Sequence, residues 1–167
     1  AQSHQGKMPT EEQIDSIINK YKVNEKHSQK FARLIIQDNG GRMKPVNTFS
    51  SELLRKVSHK DTYKDLNSDQ VFLSMTQFPT LWYEVPFIYI KPGNDSIRKI
   101  IGIPATQKYA RFINFFDEKG NYKLSKYLEE AYKVANPNQF EKDFVETDKK
   151  INLLNSALSG SILKIFP

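Results

Sequence analysis

Phe140, Phe144, Thr147, Ile151, Leu154 and Leu158 step alternately by four and three residues. This is a heptad seam sustained over about three repeats, the longest regular apolar pattern in the chain. A stripe of that length has to be covered, and the expected place is inside the protein's own helical bundle. Asn136-Pro137-Asn138-Gln139 starts the helix, with Asn136 as N-cap, proline at the first helical position and glutamine at the third. Gly160 ends it.

Other segments repeat the arrangement. Thr10-Glu11-Glu12-Gln13 fits a capping box and opens a helix with Ile14, Ile17, Ile18 and Tyr21 on one face. Asn24 opens a second helix, with His27, Phe31, Leu34 and Ile35 on its inner side. Asn67-Ser68-Asp69-Gln70 is another capping box, leading into Val71, Phe72, Met75 and Phe78 before Pro79 stops the helix. Leu124, Tyr127, Leu128, Ala131, Tyr132 and Ala135 form a further stripe. Phe87 to Ile90 has strand composition, Pro92-Gly93-Asn94-Asp95 is a turn, and Ile97 to Ile103 is expected to return as the second strand of a hairpin. Tyr109, Phe112, Ile113 and Phe116 predict one more helix beginning near Pro104. The expected fold is therefore mainly α, a bundle of about six helices with one small β-hairpin. Residues 1–9 read as a flexible N-terminal segment and 10–167 as a single domain. The apolar stretch Ile162 to Pro167 is an unusual ending and points to a longer parent chain.

The stretch Gln37 to Lys56 holds the densest polar signal. Gly40 and Gly41 permit a sharp turn, Arg42 and Lys44 follow, and Asn47 or Thr48 is placed to cap a helix carrying Phe49, Leu53, Leu54 and Val57. Cations delivered to a helix N-terminus suit an anion, although an ordinary connection with solvated cations has the same features.

Several chemistries are excluded. The chain has no cysteine, so thiolate zinc sites, catalytic thiols and haem attachment to the chain itself are ruled out. His4, His27 and His59 share no metal-ligand spacing, and no metalloprotease, nucleophile-elbow or phosphate-loop motif occurs. Asp143, Glu146 and Lys150 read as surface pairing along one helix flank. No run reaches the ~18 apolar residues of a spanning helix. The net charge of +6 is scattered, which gives little support to a nucleic-acid-binding module. Trp82 and Tyr83 are able to stack on a flat ligand, but an aromatic core cap under the Pro79 and Pro86 turns is the expected reading.

The words QDNGGRMKPVNTFSSELLRKV and LNSDQVFLSM, the spacing of Pro79, Trp82 and Pro86, and FFDEKGNYKL, YLEEAYK and SGSILKIFP resemble the cytochrome c assembly family. The likeness is to the fused haem lyase and exporter type found in Bacteroidetes-type bacteria, and it runs from about Asn24 to Pro167. It implies an extracytoplasmic domain on the periplasmic side of the bacterial inner membrane, part of a membrane protein that joins haem to apocytochrome c. The tryptophan-rich loop and membrane histidines that handle haem in that family have no counterpart here. The resemblance thus implies no catalytic residue, metal or cofactor in this domain, with haem handled by the parent protein. Docking or positioning is the expected role, with apocytochrome c and the membrane-embedded parts of the same synthase as partners. A ligand-free structural spacer is the alternative. Arg42, Lys44, Thr48, Glu52 and Arg55 are the docking candidates, with Arg42 and Lys44 facing a carboxylate of the partner or a haem propionate. His27, His59, Trp82 and Tyr83 are the candidates for haem contact.

Overall fold

A computed structural model describes residues 8–163 and 165–166; most of the N-terminal segment 1–9 therefore lies outside the described residues. Helix α1 (Glu11–Lys20) starts at the Thr10–Gln13 capping box and buries Ile14 and Ile18. α2 (Glu25–Ala32) starts at Asn24, whose side chain accepts from the His27 amide. Strands β1 (Ile35–Gln37) and β2 (Met43–Pro45) form a hairpin that leads into α3 (Val46–Ser58). A second hairpin, β3 (Thr62–Tyr63) and β4 (Leu66–Asn67), precedes α4 (Ser68–Gln77), which opens at the Asn67–Gln70 capping box. The short α5 (Pro79–Trp82), β5 (Pro86–Tyr89), α6 (Asp95–Ile101) and β6 (Tyr109–Arg111) follow. α7 (Ser125–Lys133), α8 (Gln139–Leu158) and β7 (Ile165–Phe166) complete the chain.

The protein is mainly helical, as the periodicity predicts. Among the described residues its β structure is three small antiparallel sheets rather than one hairpin: β2-β1-β7, β3-β4 and β5-β6. The seam is buried at Phe144, Thr147, Ile151, Leu154 and Leu158, while Phe140 at its start is 48% exposed. α8 packs on α7, α3 and α4, so the seam is covered within the chain. Phe49, Leu53, Leu54 and Val57 of α3 join the same core.

Five expectations are corrected. Ile97 to Ile103 is not a strand: Ile97 and Ile101 lie one turn apart on the buried face of α6, and Arg98 turns inward between them. The Arg98 guanidinium donates to the carbonyls of Gln107, Lys91 and Ile90, each at 2.9 Å. A buried cation with all its main partners in place stabilises this excursion, where a lone one would not be tolerated. The hairpin partner of β5 is β6, Tyr109–Arg111, in the stretch where the periodicity predicts a helix. Next, α3 begins at Val46 behind Pro45, with no side-chain cap. The Val46 amide is satisfied by the Leu34 carbonyl at 2.9 Å, and the Asn47 side chain is drawn to Asp69 instead. α8 is capped by Asn138 with Glu141 at its third position, two residues later than expected. Finally, α2 buries Ser28 and Ala32, which leaves His27 exposed and not on the inner side. The helix ends at Ala32, so Leu34 and Ile35 are each 37% exposed and the strand alternation buries Ile36 instead.

Candidate functional site

Basic residues gather at both ends of helix α3, Arg42 and Lys44 just before it and Arg55 and Lys56 in its last turn, and the two ends are built differently. At the N-terminal end, Asp38 folds the glycine turn around its own carboxylate. Its Oδ1 accepts from the amides of Gly40 and Arg42, both at 2.9 Å, and Gly41 supplies the positive φ of 80°. The Lys44 ammonium lies 3.0 Å from Asp38 and 3.2 Å from Glu52. The Arg42 amide, followed by Lys44, holds the Asp38 carboxyl below its ordinary value. Burial opposes the charge on Lys44, but its bonds to Asp38 and Glu52 outweigh that and raise its pKa. The anion this turn is shaped to hold is therefore already present, as Asp38. Arg42 and Thr48 are exposed.

The C-terminal end is a pocket of about 550 Å³ between α3 and α8. Arg55, Lys56 and His59 come from the α3 side, and Glu146, Lys149 and Lys150 from α8. Lys150 is 6% exposed. Its ammonium donates to the Tyr89 carbonyl at 3.0 Å, lies 3.4 Å from His59 Nε2, and sits 5.5 Å from the centre of the Tyr89 ring. The His59 ring packs on Tyr89 with centroids 4.4 Å apart. Burial pulls the pKa of Lys150 below its ordinary value. His59 is also lowered, first by burial and then by the Lys150 charge, which favours a neutral imidazole able to accept from the ammonium. Glu146, the pocket's carboxylate, is engaged by Lys91 at 2.5 Å. What remains is an excess of cations around a buried ammonium, an arrangement that can take up a carboxylate or another oxyanion.

His59 holds this geometry at some cost. It caps α3 in the left-handed region at φ 57°, a conformation disfavoured for residues other than glycine. Strain of this kind is commonly retained at functional sites.

Of the predicted residues, the structure brings Arg55 and His59 together. Trp82 is 1% exposed and donates to Ser74 Oγ at 2.9 Å, with its ring against Tyr63 and Phe87. It is a core residue, with no face open for a ligand. Tyr83 is half-buried and stacks on Phe112, and His27 stands exposed on α2. Sequence reasoning missed Lys56, Lys149 and Lys150. It grouped Lys150 with Asp143 and Glu146 as a surface flank, whereas Asp143 accepts from Gln139 and Glu146 pairs with Lys91. The available signal was position: Lys150 directly precedes the seam residue Ile151 and follows Thr147 by three.

Among the described residues no group of three or more His, Cys, Asp or Glu is placed to hold a metal ion. No helix among them is long and apolar enough to cross a membrane. No protein-family model matches the chain. The chain is 37% identical over 142 residues to Protein NrfI of Wolinella succinogenes. That alignment covers 84% of this chain but 15% of the relative's length, so the chain is similar to a small part of a much larger protein.

Proposed function

We propose that this chain is an accessory domain of a cytochrome c assembly protein, and that it docks a carboxylate-bearing partner at the C-terminal end of α3. The likeness to Protein NrfI supports a cytochrome c assembly family and a role in cytochrome c biogenesis. The sequence words that resemble that family point the same way. In this reading the domain lies on the periplasmic side of the inner membrane, and its partners are apocytochrome c and the membrane-embedded parts of the parent. It positions the partner, while the parent handles haem.

One observation carries the docking role: the pocket joins Arg55, Lys56, Lys149 and the buried Lys150, and Glu146, the one carboxylate among the described residues that line it, is occupied by Lys91. At the other end of α3, Lys44 is held between Asp38 and Glu52 and is less available to a partner.

The test is made in the full-length parent. Arg55→Glu with Lys149→Glu is expected to lower maturation of a reporter c-type cytochrome, read by haem staining, about tenfold or more at unchanged parent protein level. Unchanged maturation would overturn the docking role and leave a structural spacer.

A further inference from the structure

A second cavity of about 450 Å³ lies on the other side of the α3 C-terminus, where Lys60, Lys108 and Arg111 are among its walls. The two cavities are neighbours: Ser58 lines one and His59 the other. Between them Tyr89 and Tyr109 meet edge to face with ring centres 5.7 Å apart. Each ring carries an ammonium, Lys150 at 5.5 Å from Tyr89 and Lys60 at 4.8 Å from Tyr109. We infer that the two cavities form one seat for an extended acidic peptide segment of a partner protein, with carboxylates held on both sides of the α3 C-terminus. The inference rests on the docking reading above and names the chemistry of the partner.

Charge complementarity selects the occupant. Among the described residues, Arg55, Lys56, Lys149 and Lys150 on one side, and Lys60, Lys108 and Arg111 on the other, have no carboxylate within 4.0 Å. Of the neighbouring acids, Glu146 is engaged by Lys91 and Asp15 by both Lys64 and the Tyr63 hydroxyl, while Glu11, in the wall of the second cavity, lies 4.0 Å from Lys64 and leaves the three other cations there in excess. Two adjoining cavities suit an extended chain, whose alternate residues lie about 6.6 Å apart on one face. A nucleic acid fits less well, because Tyr63, Tyr89 and Tyr109 each already carry a lysine over the ring that a base would stack upon. The peptide is held by side-chain charge rather than strand addition. The Tyr109 carbonyl accepts from Gln107 and the Arg111 amide donates to Asn114, so these backbone groups of β6 are taken by the chain's own side chains.

The experiment is fluorescence anisotropy with the 167-residue chain and a labelled octapeptide of alternating glutamate and serine. An octapeptide with a single glutamate and an eight-nucleotide single-stranded DNA serve as comparison probes. The alternating peptide is expected to bind in a salt-sensitive way. Arg55→Glu with Lys149→Glu, and separately Lys60→Glu with Lys108→Glu, should each weaken it about tenfold or more. If a reversal pair perturbs the near-ultraviolet circular dichroism, the glutamine versions Lys60→Gln and Lys108→Gln replace it. An effect confined to the Arg55 side overturns the two-cavity seat and leaves the docking reading standing. No binding, or binding indifferent to both pairs, overturns both. Tighter binding of the oligonucleotide overturns the peptide as occupant.

Discussion

Similar basic residues gather at the two ends of α3 and are put to opposite uses. At the N-terminal end Lys44 bridges Asp38 and Glu52, and the glycine turn closes on Asp38. At the C-terminal end Lys150 is buried against a carbonyl and a histidine, and the carboxylate beside it belongs to Lys91. A cation at the first end tightens the fold, and a cation at the second is left facing a cavity. The number of basic residues in a stretch therefore says little about binding. What matters is whether the fold has already supplied the counter-charge.

The largest effect expected from this contrast is on stability, and it lies toward the N-terminal half of the helix. Asp69, 8% exposed, accepts from Ser50 Oγ at 2.5 Å and from the Asn47 side-chain Nδ2 at 3.0 Å, tying α3 to α4. Asp69→Ala removes the charged acceptor shared by Ser50 and Asn47, leaving the Ser50 hydroxyl only the Asn47 carbonyl, and should cost about 2 kcal/mol in urea unfolding, with no change in acidic-peptide affinity. An affinity change would mean that the two ends are coupled.

The second effect is on binding. Lys150→Met keeps the packed stem and removes the charge, so peptide affinity should fall about tenfold while the fold is kept or improved. The paired variant Lys44→Met should leave affinity unchanged and lower the melting midpoint by about 2–4 °C, because Asp38 and Glu52 lose the cation between them. A reversed pattern would move the docking surface to the Gly40–Thr48 loop.

A third pair probes backbone strain. Gly41→Ala places a Cβ at φ 80° and should cost about 1 kcal/mol without touching affinity. His59→Gly relieves the left-handed cap, so it should unfold at an equal or higher urea concentration yet bind the peptide more weakly. A clear loss of stability on replacing His59 would mark it as a structural cap.

The smallest effect is that of pH. His59 has a lowered pKa in the folded chain, so the unfolded chain takes up its proton first. Its contribution to stability is present above about pH 6.5 and is lost as pH falls through its folded value. A bound carboxylate acts in the opposite direction and favours the imidazolium. Peptide affinity should therefore rise a few-fold as pH falls from about 7.5 to 6, and the rise should vanish in His59→Gly. A pH-independent affinity in the unmodified chain would place the peptide away from His59.

Local chemistry was legible in the sequence wherever a short-range bond decides the outcome. The caps at Thr10, Asn24 and Asn67 form because a side chain meets an amide three residues on. The start of α8 was misplaced because Asn136-Pro137-Asn138 offers two caps, and Glu141 completes the second. α6 was not legible, since Ile97, Ile100, Ile101 and Ile103 suit either a strand or a helix. The choice is made by Arg98 reaching carbonyls as far away as Gln107. The site divides in the same way. Arg55 and His59 can be singled out as residue types, but their common pocket depends on α8 packing beside α3, a contact across some ninety residues. Which cations remain uncompensated is a property of the packed molecule.

The middle strand β1 imposes an order of events on synthesis. It pairs with β2 a few residues on, but its other edge is closed by β7, in a register that sets Ile35 opposite Phe166 and Ile36 opposite Ile165. About 130 residues separate the two. At ribosomal rates the β1 edge waits on the order of ten seconds for its partner to be made. Through that interval an exposed strand edge beside the apolar Ile36 is open to the wrong neighbour.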